Sequence, residues 1–77
     1  MDIRKILAQN LRALRKHKGW SQEELAHRAG VDRTYISALE RGIYSATIVM
    51  VEKLAAVLDV EPPSLIDRGM RIRQPKR

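Results

Sequence analysis

At 77 residues the chain has room for one domain, and a domain this short buries only about 60% of the surface its unfolded form exposes, so disulfides, a metal or a partner subunit usually support it. Cysteine is absent, which excludes disulfides and thiolate metal sites, and His17 and His27 have no companion at ligand spacing; no metal and no cofactor is expected, and a partner subunit is left as the stabiliser. The net charge of +6 sits at the ends, +5 in residues 1–18 and +4 in residues 62–77 around a slightly acidic middle, which suits a polyanion such as nucleic acid or an anionic membrane and equally a plain solvated surface.

Residues 3–18 place Ile3, Ile6, Leu7, Leu11 and Leu14 at helical spacing, which predicts a first amphipathic helix, and Gly19 suits the left-handed position just past its end. Because the apolar face of this helix is needed as core, it is not free to lie on a membrane. No apolar run approaches the roughly 20 residues of a membrane span. The opening "MDIRKILAQN" lacks the apolar stretch of a signal peptide, so the expected location is the cytoplasm, with no membrane partner.

Further along, "SQEE" has the form of a capping box, Ser21 with Glu24, and Trp20 and Leu25 stand where a hydrophobic staple would bracket it. A second helix is therefore predicted over residues 22–29, stopping at Gly30, with Trp20 as a structural side chain rather than a base-stacking one. Asp32 is a good N-cap for a third helix ending near Arg41, before Gly42. Thr47 caps a fourth over residues 48–58, and "PPSLID" allows a short fifth, since proline is tolerated in a first helical turn. Beyond it, "RGMRIRQPKR" has no periodicity and five basic residues. The expected organisation is a domain over residues 1–68 and a wholly or partly disordered basic tail over 69–77, which would add affinity for phosphates without specificity.

Two short helices joined by a tight glycine turn make a helix-turn-helix, residues 22–41, whose second helix enters the DNA major groove. Read from Gln22, the stretch resembles the Cro and phage-repressor class. Ala26 stands at the helix crossing, Gly30 at the turn, and Leu25, Ala29, Val31, Ile36 and Leu39 at the core positions of that class. The resemblance spans about residues 5–66. It implies an all-α, compact, five-helix lambda-repressor-like domain. Within the class, "DRTYISALERG" followed by "VEKLAAVLDV" is most similar to the small bacterial regulators of the restriction–modification controller type, which act on transcription as dimers at operators.

On the third helix Tyr35, Ile36 and Leu39 hold the element to the domain, and Arg33, Thr34, Ser37 and Ala38 are expected to face outward as base readers. Arg33 would reach guanine bidentately, Thr34 and Ser37 would hydrogen-bond bases or phosphates, and the small side chains would let the helix come close. The resemblance implies that Gln22 clamps a phosphate, helped by its backbone N–H at a helix N-terminus. Arg41 is expected to contact the DNA backbone as well. The family's Asn-Pro-Ser-like loop is replaced here by "IYSAT", in which Tyr44 and Ser45 offer hydroxyls to phosphates. The resemblance also matches Arg15 and Glu40 to a structural ion pair between the first and third helices.

The fourth helix has an apolar surplus. Ile48, Val51, Leu54, Ala55 and Leu58 suffice for one core stripe, and Val49, Met50, Val57 and Val60 remain for a two-fold dimer interface. No nucleophile–base pair or phosphate-cradling glycine loop points to an enzyme, and no small-molecule ligand is evident. The expected function is sequence-specific binding of a (pseudo)palindromic double-stranded operator by a homodimer that regulates transcription, with RNA polymerase as a further partner if it activates. The alternative is an antitoxin-like protein-binding module with autoregulatory DNA binding.

Overall fold

The computed structural model describes residues 2–72. Four helices follow in order, α1 (Ile3–His17), α2 (Gln22–Ala29), α3 (Arg33–Glu40) and α4 (Ile48–Leu58), and a 3-10 turn over Pro62–Ile66 closes the set. The expected fifth helix is thus a single 3-10 turn. Its first two residues are prolines without N–H groups, and its bonds run three residues back, Ser64 N–H to Glu61 O and Asp67 N–H to Ser64 O.

Each α-helix begins on a side-chain cap. Asp2, Ser21, Asp32 and Thr47 accept from the N–H groups of Arg4, Glu24, Thr34 and Met50. The reciprocal half of the Ser21 capping box is not made, because the Glu24 carboxylate takes Arg28 Nε instead, at 2.7 Å.

The helices also end alike. A left-handed residue follows each, and the next N–H reaches five residues back: Trp20 to Arg15 O, Val31 to Ala26 O, Ile43 to Ala38 O and Val60 to Ala55 O. Three of these closing residues are glycines, but α4 is closed by Asp59 at φ 66°. A non-glycine residue pays about 1–2 kcal/mol for that conformation, less for aspartate than for most, and this one also brings a carboxylate to the negative end of a helix dipole. Asp59→Gly is therefore expected to stabilise the fold by about 1 kcal/mol. An upward shift of the urea midpoint at constant slope would register the gain, and an unmoved midpoint would mean that the aspartate offsets its strain locally.

The core draws one or more fully buried side chains from every element: Leu11, Leu25, Ile36, Leu39, Leu54, Leu58 and Leu65. α1 packs on α3 and on the 3-10 turn, α2 on α3 and α4, and α4 on the turn as well. Buried Asn10 fixes the turn to α1, its Nδ2 lying 3.2, 3.1 and 2.8 Å from the carbonyl oxygens of Ser64, Leu65 and Asp67.

Three expectations about packing change. Ile3 and Ile48 continue their stripes by spacing but are 53% and 87% exposed, because each sits in a first turn that no neighbouring element covers. Met50, Val57 and Val60, expected to be left over, are partly buried against the protein's own core, whereas Val49 is 70% exposed. The packed chain also runs past residue 68. Met70 and Ile72 rest on the core beside a groove of about 650 Å³ lined by Leu14, Leu58 and Val60, so residues 69–72 are no free tail. Arg73, Lys76 and Arg77 lie outside the described residues. Among the described residues, no helix is long and apolar enough to cross a membrane.

Candidate nucleic-acid interface

The angle between α2 and α3 is set by three residues. Gly30 takes φ 69° and donates its N–H back into α2, Val31 closes the six-residue loop onto Ala26 O at 3.0 Å, and Asp32 then starts α3. Ala26 and Ala29 are buried beneath the crossing, so nothing bulky holds the two helices apart.

On α3 the inward side is Ile36 and Leu39, both fully buried, with Tyr35 half-buried beside them. Arg33 and Thr34 are exposed and Ser37 is half-buried on the opposite side. Ala38 is not with them. It is 6% exposed because the chain after Gly42 folds back over the last turn of α3, bringing the Ile43 N–H to Ala38 O at 3.1 Å. The outward group is Arg33, Thr34 and Ser37, and Ala38 is corrected to a packing residue.

Asp32 does more than cap the helix. It accepts from both the N–H and the hydroxyl of Thr34, and these bonds, the hydroxyl first, hold its carboxyl below the usual range. In the free protein the Thr34 hydroxyl therefore gives its proton to Asp32, and its oxygen can still accept. Arg33 makes no salt bridge among the described residues and is free to extend.

Past α3, Arg41, Tyr44 and Ser45 are all exposed, which brings these expected phosphate contacts to the surface of one loop. The Tyr44 ring leans on Tyr35 at 6.4 Å between centroids and 44° between planes, tying the loop to α3. Burial raises the Tyr35 hydroxyl, which stays protonated and can donate. Arg41 Nε reaches only Ser37 O, at a long 3.4 Å. Trp20 packs on the core and carries the Arg28 guanidinium 4.2 Å from its ring centre, which is an occupied structural position.

Beneath the interface lies a polar knot. Arg15 grips Glu40 with two bonds, Nε to Oε2 at 2.7 Å and Nη2 to Oε1 at 3.0 Å, and gives a third, from Nη1, to Trp20 O at 2.7 Å. The two side chains are 10% and 3% exposed. Hydrogen bonding to Glu40 raises the Arg15 guanidinium still further above its ordinary value. Gln22 joins the same carboxylate, its Nε2 3.1 Å from Glu40 Oε1. Among the described residues no buried side-chain polar atom lacks a partner. The Gln22–Glu40 bond and the Asn10 anchor both escaped the sequence reading. Asn10 left a signal, since it interrupts the apolar spacing of Leu7, Leu11 and Leu14. The glutamine bond left none.

A glycine-turned helix pair whose second member is exposed and arginine-tipped is a helix-turn-helix. The chain belongs to the helix-turn-helix family, whose model HTH_3 matches residues 11–65. It is similar to a Neisseria meningitidis hypothetical transcription factor, 49% identical over 65 residues that cover 84% of this chain and 61% of that protein. The crystal structure of the Neisseria factor superposes with TM-score 0.82 over 84% of this chain and 75% of that one. Two further structures are alike. The restriction–modification controller protein C.AhdI from Aeromonas hydrophila is 45% identical with TM-score 0.77, covering 80% of this chain and 94% of that one. The Bacillus regulator SinR in complex with DNA is 42% identical with TM-score 0.75, covering 79% and 98%. The chain thus spans about three fifths of the Neisseria relative and nearly all of the resolved controller.

Proposed function

We propose that this protein regulates transcription by binding double-stranded operator DNA as a homodimer, in the manner of a restriction–modification controller. The observation that carries the reading is α3 itself, with its apolar side buried and Arg33, Thr34 and Ser37 turned outward on a glycine-set helix pair. The likeness to SinR, whose structure contains DNA, and to C.AhdI supports it. In this reading α3 lies in the major groove, Arg33 reads a guanine, and Gln22, Arg41, Tyr44 and Ser45 hold phosphates on either side. A two-fold dimer then presents two such helices about 34 Å apart to a palindromic site. Ile48 and Val49, adjacent and uncovered at the start of α4, are the apolar surface a second copy would cover.

Selection of bound sites from random duplex DNA tests this directly. The expected product is an inverted repeat with half-sites one helical turn apart. Arg33→Ala should cost about 1–3 kcal/mol at the selected site and relax preference at one position per half-site. If the selected motif is unchanged by that substitution, the reading face is misassigned.

A further inference from the structure

The Arg15–Glu40 pair has a third member, and its identity matters. Gln22 is the residue assigned above to a phosphate, and it is also the one side chain of α2 that bonds to the buried carboxylate. A carboxylate only accepts, so it must take the amide nitrogen of Gln22 and not the oxygen. That choice fixes the amide. One of the two N–H groups on Nε2 is held by Glu40, and the other is left pointing away from it, available to a second acceptor. The same knot governs the other half of the clamp, because Arg15 Nη1 grips Trp20 O at 2.7 Å, two residues before the first N–H groups of α2.

We infer that Glu40 is a positioning residue for DNA binding: its buried carboxylate orients the Gln22 amide so that one N–H faces a DNA phosphate. The inference rests on the phosphate role proposed for Gln22. Arg15 keeps the carboxylate in place by satisfying both of its oxygens. Glu40 therefore acts on affinity without touching DNA. Its contribution is independent of sequence, since a phosphate is the same at every base pair.

A double-mutant cycle on binding to a short random-sequence duplex tests this. Gln22→Ala should weaken binding about tenfold, the loss of one hydrogen bond to a charged group. Glu40→Gln should weaken it by a similar factor, because a neutral amide no longer dictates which end of Gln22 it meets. The protein carrying both changes should bind no worse than the weaker single variant, whereas a purely structural role for Glu40 makes the two factors multiply. Multiplying factors, or a silent Gln22→Ala in a protein that binds DNA, would overturn the inference alone. A wild-type chain that does not bind duplex DNA would overturn the proposed function itself. Should Glu40→Gln not fold, the wild-type chain still decides. In NMR spectra one Gln22 side-chain N–H should stay hydrogen-bonded with and without duplex, while the other shifts on addition of DNA. Two protons shifting together, or neither, would refute the arrangement.

Discussion

Ile48→Glu and Val49→Glu, introduced together, should yield a folded monomer that has lost its operator affinity. The two side chains are 87% and 70% exposed in the isolated chain, so neither replacement removes a contact from the core. In a two-fold dimer each change occurs twice, and four carboxylates would meet across a face from which water has been excluded. Uncompensated like charges there should cost several kcal/mol, enough to dissociate a dimer of this size. A monomer reads one half-site, so affinity for the full operator should fall by orders of magnitude while weak binding to any duplex remains. Sedimentation equilibrium measures the first effect and titration of the selected site the second. Met50 and Val57 are poorer probes, because both lean on the protein's own core and glutamate there would damage the monomer as well. A folded double variant that stays dimeric would place the interface elsewhere.

Arg15→Ala should cost about 3–5 kcal/mol of folding stability, a large share of the roughly 5–15 kcal/mol that a domain possesses. The reason lies in what is left behind. Glu40 has a side chain only 3% exposed, and without the guanidinium its charge would keep a single donor, Gln22. Trp20 O would lose its Arg15 bond at the same stroke. Removing both charges at once is a different experiment: Arg15→Met with Glu40→Leu leaves no orphaned ion and should recover much of the loss. Urea unfolding of the three proteins gives the comparison. Equal losses in the single and the paired variants would mean that packing, not the stranded charge, sets the cost.

Helix positions were legible because their ends carry chemistry of their own. Ser21, Asp32 and Thr47 mark starts by offering an oxygen to an N–H, and Gly19, Gly30 and Gly42 mark stops by tolerating positive φ. Asp59, which performs the same closing task without being a glycine, gave no such warning. Faces were harder to read than ends. Periodicity says which side of a helix is apolar but not how far a neighbour extends along it, and so Ile48 was expected in the core and is open to solvent. Ala38 failed for the complementary reason, since small size fits a groove-facing position and a tight fold-back equally well. At the candidate site, the exposure of Arg33 near the start of α3 was legible. Contacts between residues distant in sequence stayed hidden, as with the bond between Gln22 and Glu40, 18 residues apart.

The Asn10 anchor bears on how the molecule is made. Its amide bonds to carbonyls 54, 55 and 57 residues further on, which sews the first helix to the last turn around everything between them. A chain leaving the ribosome presents α1 early, yet the carbonyls that hold Asn10 in place emerge only after α2, α3 and α4 have already been synthesised. Until then the buried face of α1 has α3 against it but not the turn, and the helix-turn-helix has only part of its support. Completion of this fold thus waits until residues 64–67 have been synthesised.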